Sequence, residues 1–125
     1  MNNSENTFEF TYTDEEMMKL VLDSIPYPIV FCDTDHIIRF LNKEAEFFYY
    51  RRRGYDNLIG KSLFNCHTEA TKAMIEKAVE KLAAHGNEIF LGVNNRNQRK
   101  YINPVRDENG KLVGYFERFE LNLEK

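Results

Sequence analysis

A long amphipathic segment followed by three strand-like segments constrains the fold of this chain more than any other feature. Residues 68–85 carry apolar side chains every three to four positions with charged ones between them, and Gly86 follows directly. That spacing predicts a helix with one buried face and a glycine just past its end. Residues 88–93, 99–106 and 111–121 have the composition of strands joined by polar turns. We therefore expect the second half of a small antiparallel sheet, with helices on one face.

The first half of the chain predicts a hairpin and two more helices. Residues 28–33 form an apolar run, an Asp-Thr-Asp-His turn follows, and residues 37–41 return as a second strand. Residues 43–53 have a helical pattern that ends in three arginines and a glycine. A capping box marks the start of a short amphipathic helix at 13–24.

The chain divides into an arm, a leading helix and one folded domain, as its 125 residues suggest. We expect the arm at 1–12, the leading helix at 13–24 and the domain at 25–125. A short amphipathic helix ahead of a sheet packs either on its own domain or on a second copy of the chain. We expect a homodimer. The predicted interface residues are Met17, Met18, Val21 and Leu22.

Composition and charge exclude several classes of partner. The net charge of −3 argues against the basic footprint that nucleic acids require. No apolar run approaches the roughly 20 residues that cross a bilayer, and the polar start does not resemble a signal peptide. The two cysteines, Cys32 and Cys66, form no metal-binding pattern. We expect a cytoplasmic protein with neither a nucleic-acid nor a membrane partner.

We do not expect an enzyme, because the familiar catalytic motifs are absent. The sequence has no P-loop, GxGxxG, HExxH or GxSxG pattern, and its carboxylates are scattered. A small α+β domain can hold a site assembled from distant residues, so a small enzyme stays as an alternative.

Three segments together cover most of the chain with a distinctive pattern. They are LDSIPYPIVFCDTDHIIRFLNKEAE at 22–46, LIGKSLFNCH at 58–67 and PVRDENGKLVGYFE at 104–117. These segments resemble the Per-Arnt-Sim (PAS) family of sensor domains. The resemblance implies an α+β PAS fold, with a five-stranded antiparallel sheet in the order 2-1-5-4-3 and helices covering one face. It also implies that ligands bind between the sheet and the long helix, and that the leading helix mediates dimerisation.

His67 is the first candidate for a cofactor ligand. A neutral imidazole is the usual axial ligand of haem iron in sensing proteins, and the resemblance implies a haem ligand on the long helix, although further inside it. The alternative is a histidine that forms local hydrogen bonds and caps the start of the helix. Haem is therefore a possible cofactor, with His67 as its ligand.

Cys66 invites comparison with the flavin-binding light-oxygen-voltage branch, whose motif continues from Asn-Cys to Arg-Phe-Leu-Gln. Here His67 follows the Asn-Cys step, and the last strand lacks the glutamine of that branch. We therefore do not expect flavin photochemistry. Cys66 acts either as a redox switch near the helix start or as a structural thiol.

Alternating strand residues are candidates for the lining of a ligand cavity. The predicted ligand-binding residues are Phe31, Phe40, Cys66, His67, Tyr101, Asn103, Tyr115 and Glu117. In the alternative interpretation the aromatic side chains fill a core and the polar ones face water. The basic residues Arg99, Lys100 and Arg106 either contact an anionic ligand or solubilise a strand.

These observations predict a sensory or protein-interaction module. It binds a small ligand or cofactor, mediates dimerisation, or does both. Because the sequence contains no output domain of its own, we expect either a piece of a longer sensor protein or a stand-alone module that acts on a separate signalling protein. The first alternative is a pure interaction or scaffold module with a filled core and no ligand, and the second is a small enzyme.

Overall fold

The computed structural model describes residues 9–66, 68–84 and 86–123. Its helical elements are α1 (Asp14–Asp23), α2 (Lys43–Glu46) with a π-helical turn at Phe47–Arg52, a 3-10 turn at Leu63–Cys66, and α3 (Glu69–Ala84). Its strands are β1 (Val30–Asp33), β2 (Ile38–Leu41), β3 (Ile89–Val93), β4 (Gln98–Arg106) and β5 (Leu112–Leu121). Within these ranges, every helix is too short or too polar to cross a membrane.

The five strands form one antiparallel sheet in the order β2-β1-β5-β4-β3. This confirms the predicted fold class and strand order. The central strand β5 pairs with β1 on one side and with β4 on the other, where Ile102 lies opposite Glu117. Facing residues of an antiparallel pair share one face of the sheet. The register therefore decides which side chains point toward the helices.

The core lies between one face of the sheet and α3. The helix contributes Ile75, Ala78, Val79 and Leu82, which recur at the i, i+3, i+4 and i+7 positions of one helical face. The fully buried sheet residues of the same cluster are Cys32, Ile38, Ile102 and Tyr115. Burial of each large aliphatic side chain contributes about 1.5–3 kcal/mol, and this burial holds α3 on the sheet.

The helix predicted at 43–53 changes type after one turn. α2 ends at Glu46, and the π-helical turn that follows ends with the N–H of Arg53 donating to the carbonyl of Phe48 at 3.1 Å. A π-helical turn has more residues per turn than an α-helix, and such turns are frequent at functional sites. Here Tyr49 is buried in the core while Phe48 remains half-buried.

Asn42 joins the C-terminal end of α1 to the domain. Its side chain is fully buried, and its Nδ2 donates to the carbonyls of Leu22 at 2.9 Å and Tyr27 at 3.0 Å. Its Oδ1 accepts from the N–H groups of Ile29 at 2.9 Å and Ala45 at 3.0 Å. The amide thus uses both donor hydrogens and both acceptor positions.

The rest of α1 faces solvent. The predicted capping box between Thr13 and Glu16 is present, but none of the ten helix residues is buried. Met18 is 55% exposed and Val21 57% exposed. Residues 9–13 form no strand, and the remainder of the predicted arm lies outside the described residues.

Candidate functional site

The structure divides the predicted ligand-binding residues between the two faces of the sheet. Tyr115 and Glu117 are buried on the face that the helices cover. Phe31 lies opposite Phe40 in β2 and opposite Phe116 in β5, which places these rings together on the other face. The predicted residues on that outer face are Phe31, Phe40, Tyr101 and Asn103. The six strand residues therefore do not line one cavity.

An open cleft of about 730 Å³ lies between the helix-covered face of the sheet and the helical elements. This inner cleft is bounded by the π-helical turn, the start of α3, the β3–β4 turn, and parts of β4 and β5. Its lining residues are Pro28, Phe48, Tyr49, Arg52, Arg53, Thr68, Thr71, Asn94, Asn95, Arg96, Gln98, Lys100, Glu117 and Phe119. Small-molecule sites commonly measure about 300–1,000 Å³. Of the predicted set, the inner cleft contains Glu117 among the described residues.

The lining of the inner cleft is strongly basic. Arg52 ends the π-helical turn and Arg53 follows it, while Arg96 comes from the β3–β4 turn and Lys100 from β4. The one carboxylate among the described lining residues is Glu117, which is 7% exposed. The Nζ atom of Lys100 lies 3.9 Å from its Oε2 atom. The cleft therefore combines a buried carboxylate with four cationic side chains.

The β3–β4 turn is built so that Arg96 reaches the cleft. The Oδ1 atom of Asn94 accepts hydrogen bonds from the backbone N–H groups of Arg96 at 2.9 Å and Gln98 at 3.0 Å. Asn97 closes the turn with a φ of 59°, a conformation that asparagine tolerates better than most residues. The guanidinium of Arg96 then lies 6.0 Å from the ring centroid of Phe48.

A second depression lies on the outer face of the sheet. This outer groove has a volume of about 490 Å³ and an almost wholly apolar lining. Its lining residues are Leu22, Ile25, Tyr27, Ile29, Phe31, Phe40, Val105, Phe116, Arg118 and Phe119. Two predicted ligand-binding residues and one predicted dimer residue, Leu22, thus meet here. The groove adjoins the exposed apolar face of α1 through Leu22.

The three basic strand residues have different surroundings. Lys100 lines the inner cleft. Arg99 lies over the ring of Phe90 at 4.2 Å. Arg106 donates to the carbonyls of Leu82 at 2.6 Å and Gly86 at 3.1 Å, at the end of α3. Of the three, Lys100 is the one that lines the inner cleft, and the anionic-ligand interpretation stays a prediction.

Arg52, Arg53 and Arg96 were not predicted as site residues. Arg52 and Arg53 belong to a short arginine run after a helix, which ordinarily interacts with the helix dipole and solvent, and Arg96 lies in a polar turn between two predicted strands. Only their proximity in the folded chain identifies them as site residues. Arg53 and Arg96, from elements far apart in sequence, both place their guanidinium groups 6.0 Å from the ring of Phe48.

His67 and the side chain of Cys66 lie outside the described residues. The described residues that line the inner cleft include no imidazole or thiol, and the described part of the chain has no cluster of three or more metal-binding side chains. The haem hypothesis thus depends on His67 alone and stays a prediction.

Comparison with known proteins identifies similar folds. A family model described as a PAS domain matches residues 18–120. The C-terminal domain of a Streptococcus mutans protein is 22% identical, with a TM-score of 0.68 over 91% of this chain and 89% of that one. The PAS domain of a Colwellia psychrerythraea protein is 18% identical, with a TM-score of 0.65 over 90% of this chain and 100% of that one. The PAS domain of Bordetella pertussis BvgS is 17% identical, with a TM-score of 0.61 over 90% of each chain. No curated protein matches the chain.

Proposed function

The chain belongs to the PAS domain family, and from that premise we propose that it is a sensory module of signal transduction. Its ligand is a small molecule that binds in the inner cleft, and its output is a change in the contacts that it makes with a separate signalling protein. Sensor histidine kinases contain domains of this fold, which supports the signalling role.

The observation that carries this proposal is the contrast between the two ends of α3. Toward its C-terminal end, Ile75, Ala78, Val79 and Leu82 fill the space above the sheet. At its start, Thr68 and Thr71 border an open cleft with aromatic and charged walls. A domain that serves only as a scaffold needs the filled core and has no need of an open cleft. A cleft with a few polar groups placed among aromatic ones is typical of small-molecule sites.

A short path of contacts connects the inner cleft to α1. Pro28 lines the cleft, and the carbonyl of its neighbour Tyr27 accepts a hydrogen bond from Asn42. The same amide of Asn42 donates to Leu22 in α1. Phe119 lines both the inner cleft and the outer groove. A ligand that binds one arrangement of these residues better than another shifts the position of α1.

A map of backbone amide shifts during a small-molecule screen tests the proposal. The expected result is that binding compounds move the amide signals of Thr71, Asn94 and Lys100 while the signals of Phe31 and Phe40 move less. Compounds that shift only the outer-groove signals would contradict the assignment of the inner cleft.

Dimerisation is the second candidate function, alone or combined with ligand binding. It is favoured by the exposed apolar side chains Met18 and Val21 of α1, next to the apolar outer groove. A continuous exposed apolar surface of this kind marks a protein-interaction site. The occupant that we propose is a second copy of the chain, which brings an identical α1 to the contact.

A further inference from the structure

We infer that a pair of asparagines, Asn97 and Asn122, couples the inner cleft to the chain segment that follows β5. This coupling rests on the proposed function, because it gives a route by which a molecule in the same cleft changes a distant part of the surface. The route is separate from the path through Asn42, which leads to α1.

The β3–β4 turn forms one wall of the inner cleft. The lining residues that come from the turn and from the first residue of β4 are Asn94, Asn95, Arg96 and Gln98. Asn97 lies within this run, is exposed, and does not line the cleft. A molecule that fills the cleft therefore contacts the neighbours of Asn97 on both sides.

The turn is braced by hydrogen bonds among its own residues. The backbone N–H of Asn94 donates to the carbonyl of Gln98 at 2.9 Å, and the N–H of Asn97 donates to the carbonyl of Asn94 at 3.1 Å. The Nδ2 atom of Asn94 also donates to the Oε1 atom of Gln98 at 3.0 Å. Because a satisfied network of this kind makes a segment rigid, we expect the turn to move as one unit.

Asn97 connects this turn to Asn122, the first residue after β5. The N–H of Asn122 donates to the carbonyl of Asn97 at 3.1 Å, and the Nδ2 atom of Asn97 donates to the carbonyl of Asn122 at 3.2 Å. The Nδ2 atom of Asn122 donates to the Oδ1 atom of Asn97 at 3.0 Å. Leu121 and Leu123 are 57% and 81% exposed, so their side chains add little packing at this point. The hydrogen bonds to Asn97 therefore help to fix this segment against the turn.

A displacement of the turn changes the position of Asn122 through these bonds. A molecule that favours one position of the turn also favours the matching position of Asn122. By linkage, a partner that binds the segment after β5 changes the affinity of the cleft for its ligand by the same factor. Strand β5 offers a competing route, because Phe119 of this strand also lines the cleft.

A larger side chain at Thr71 tests the coupling in the full chain without a ligand. Thr71 lines the cleft from α3, so the indole of Thr71→Trp occupies the space that the turn borders. The amide signals of Arg96 and Asn122 are expected to shift in nuclear magnetic resonance spectra, whereas Glu76→Trp, at an exposed position of α3, leaves both in place. An unchanged signal of Phe31, on the outer face, shows that the fold is retained. If that signal moves as well, the smaller change Thr71→Leu serves as the probe.

Asn97→Gly separates the two routes. Glycine adopts the φ of 59° at this position without strain, so the turn keeps its conformation while both side-chain hydrogen bonds to Asn122 are lost. In this background, Thr71→Trp should still shift the signal of Arg96 and should no longer shift that of Asn122. Asn109→Gly, in the exposed β4–β5 turn, is the matched control and should leave the shift of Asn122 as it is in the parent chain.

Two results would overturn the coupling through the asparagine pair. The first is an Asn122 signal that does not respond to the larger side chain at Thr71. The second is a response that persists in the Asn97→Gly background, which would assign the route to Phe119 and β5. Neither result bears on whether a small molecule binds in the cleft, which the amide-shift map of the compound screen decides separately.

Discussion

The Nδ1 atom of His36 lies 2.7 Å from the Oη atom of Tyr115, so a hydrogen bond connects the β1–β2 turn to the central strand of the sheet. Tyr115 is 1% exposed, and the ring of Phe64 packs against His36 with centroids 4.7 Å apart. His36 has a φ of 65°, which is unfavourable for a residue with a side chain. The hydrogen bond and the ring contact help to hold the turn in this conformation.

We expect Tyr115→Phe to lower the free energy of unfolding by about 1–2 kcal/mol, because the ring stays in place while the hydrogen bond to His36 is lost. Urea unfolding near neutral pH measures the change. Tyr12→Phe, at an exposed position, is the control and should leave the stability unchanged. Equal stability of the two variants would contradict this role of the hydroxyl.

The same hydroxyl makes stability depend on pH in the alkaline range. Burial, together with the neighbouring Cys32 thiol, raises the pKa of Tyr115 above its ordinary value. An unfolded tyrosine ionises near pH 10, so the unfolded chain loses this proton first. The stabilisation from neutral Tyr115 is therefore complete below about pH 10 and is lost as the pH rises above that value. From about pH 8 to about pH 11, the wild-type chain should lose more stability than Tyr115→Phe, and parallel losses would refute the assignment.

Asn42→Leu should lower the free energy of unfolding by about 3 kcal/mol or more. The substitution leaves the buried N–H groups of Ile29 and Ala45 and the carbonyls of Leu22 and Tyr27 without their side-chain partner. The amides of α1 should also exchange with solvent faster. Asn109→Leu, in the exposed β4–β5 turn, is the control. Unchanged exchange in α1 would mean that Asn42 does not fix this helix.

The double substitution Met18→Glu and Val21→Glu should convert the expected dimer into a monomer, since it places two charges on the exposed apolar face of α1. Substitution is preferable to removal of residues 1–24, because Leu22 and Asp23 bind the domain through Asn42 and the N–H of Lys43. Sedimentation equilibrium measures the mass. Met74→Glu, at another exposed methionine, should keep the dimer. A wild-type chain that is monomeric, or a double variant that stays dimeric, would contradict dimerisation through α1.

Much of the fold could be predicted from the sequence because its signals are periodic. The i, i+3, i+4, i+7 spacing of Ile75 to Leu82 requires a helix against an apolar surface, and the structure places α3 at Glu69–Ala84. In the strands, side chains alternate between the two faces of the sheet, so the expected period is two. The π-helical turn at Phe47–Arg52 has no such signal. Four adjacent aromatic residues are compatible with several helix types, and tertiary packing selects among them.

The candidate site was predicted less completely, because strand parity groups residues by face without saying which face the helices cover. Tyr101 and Glu117 were assigned to one cavity, yet the register places them on opposite faces. Arg53 directly follows the π-helical turn and Arg96 lies in the β3–β4 turn, and only the folded chain brings both guanidinium groups to within 6.0 Å of the Phe48 ring. Among the described residues of the predicted ligand-binding set, Glu117 lines the inner cleft, and its role in ligand binding stays a prediction.

Native mass spectrometry tests small-molecule binding in the inner cleft most directly. The chain is incubated with a protein-free metabolite extract and weighed under native and denaturing conditions. Wild-type protein is predicted to carry an additional small-molecule mass that denaturation removes. Thr71→Trp, which fills the cleft, should lose this mass, and Glu76→Trp on the exposed face of α3 should retain it. A wild-type spectrum with the polypeptide mass alone, or an equal additional mass in Thr71→Trp, would contradict the account.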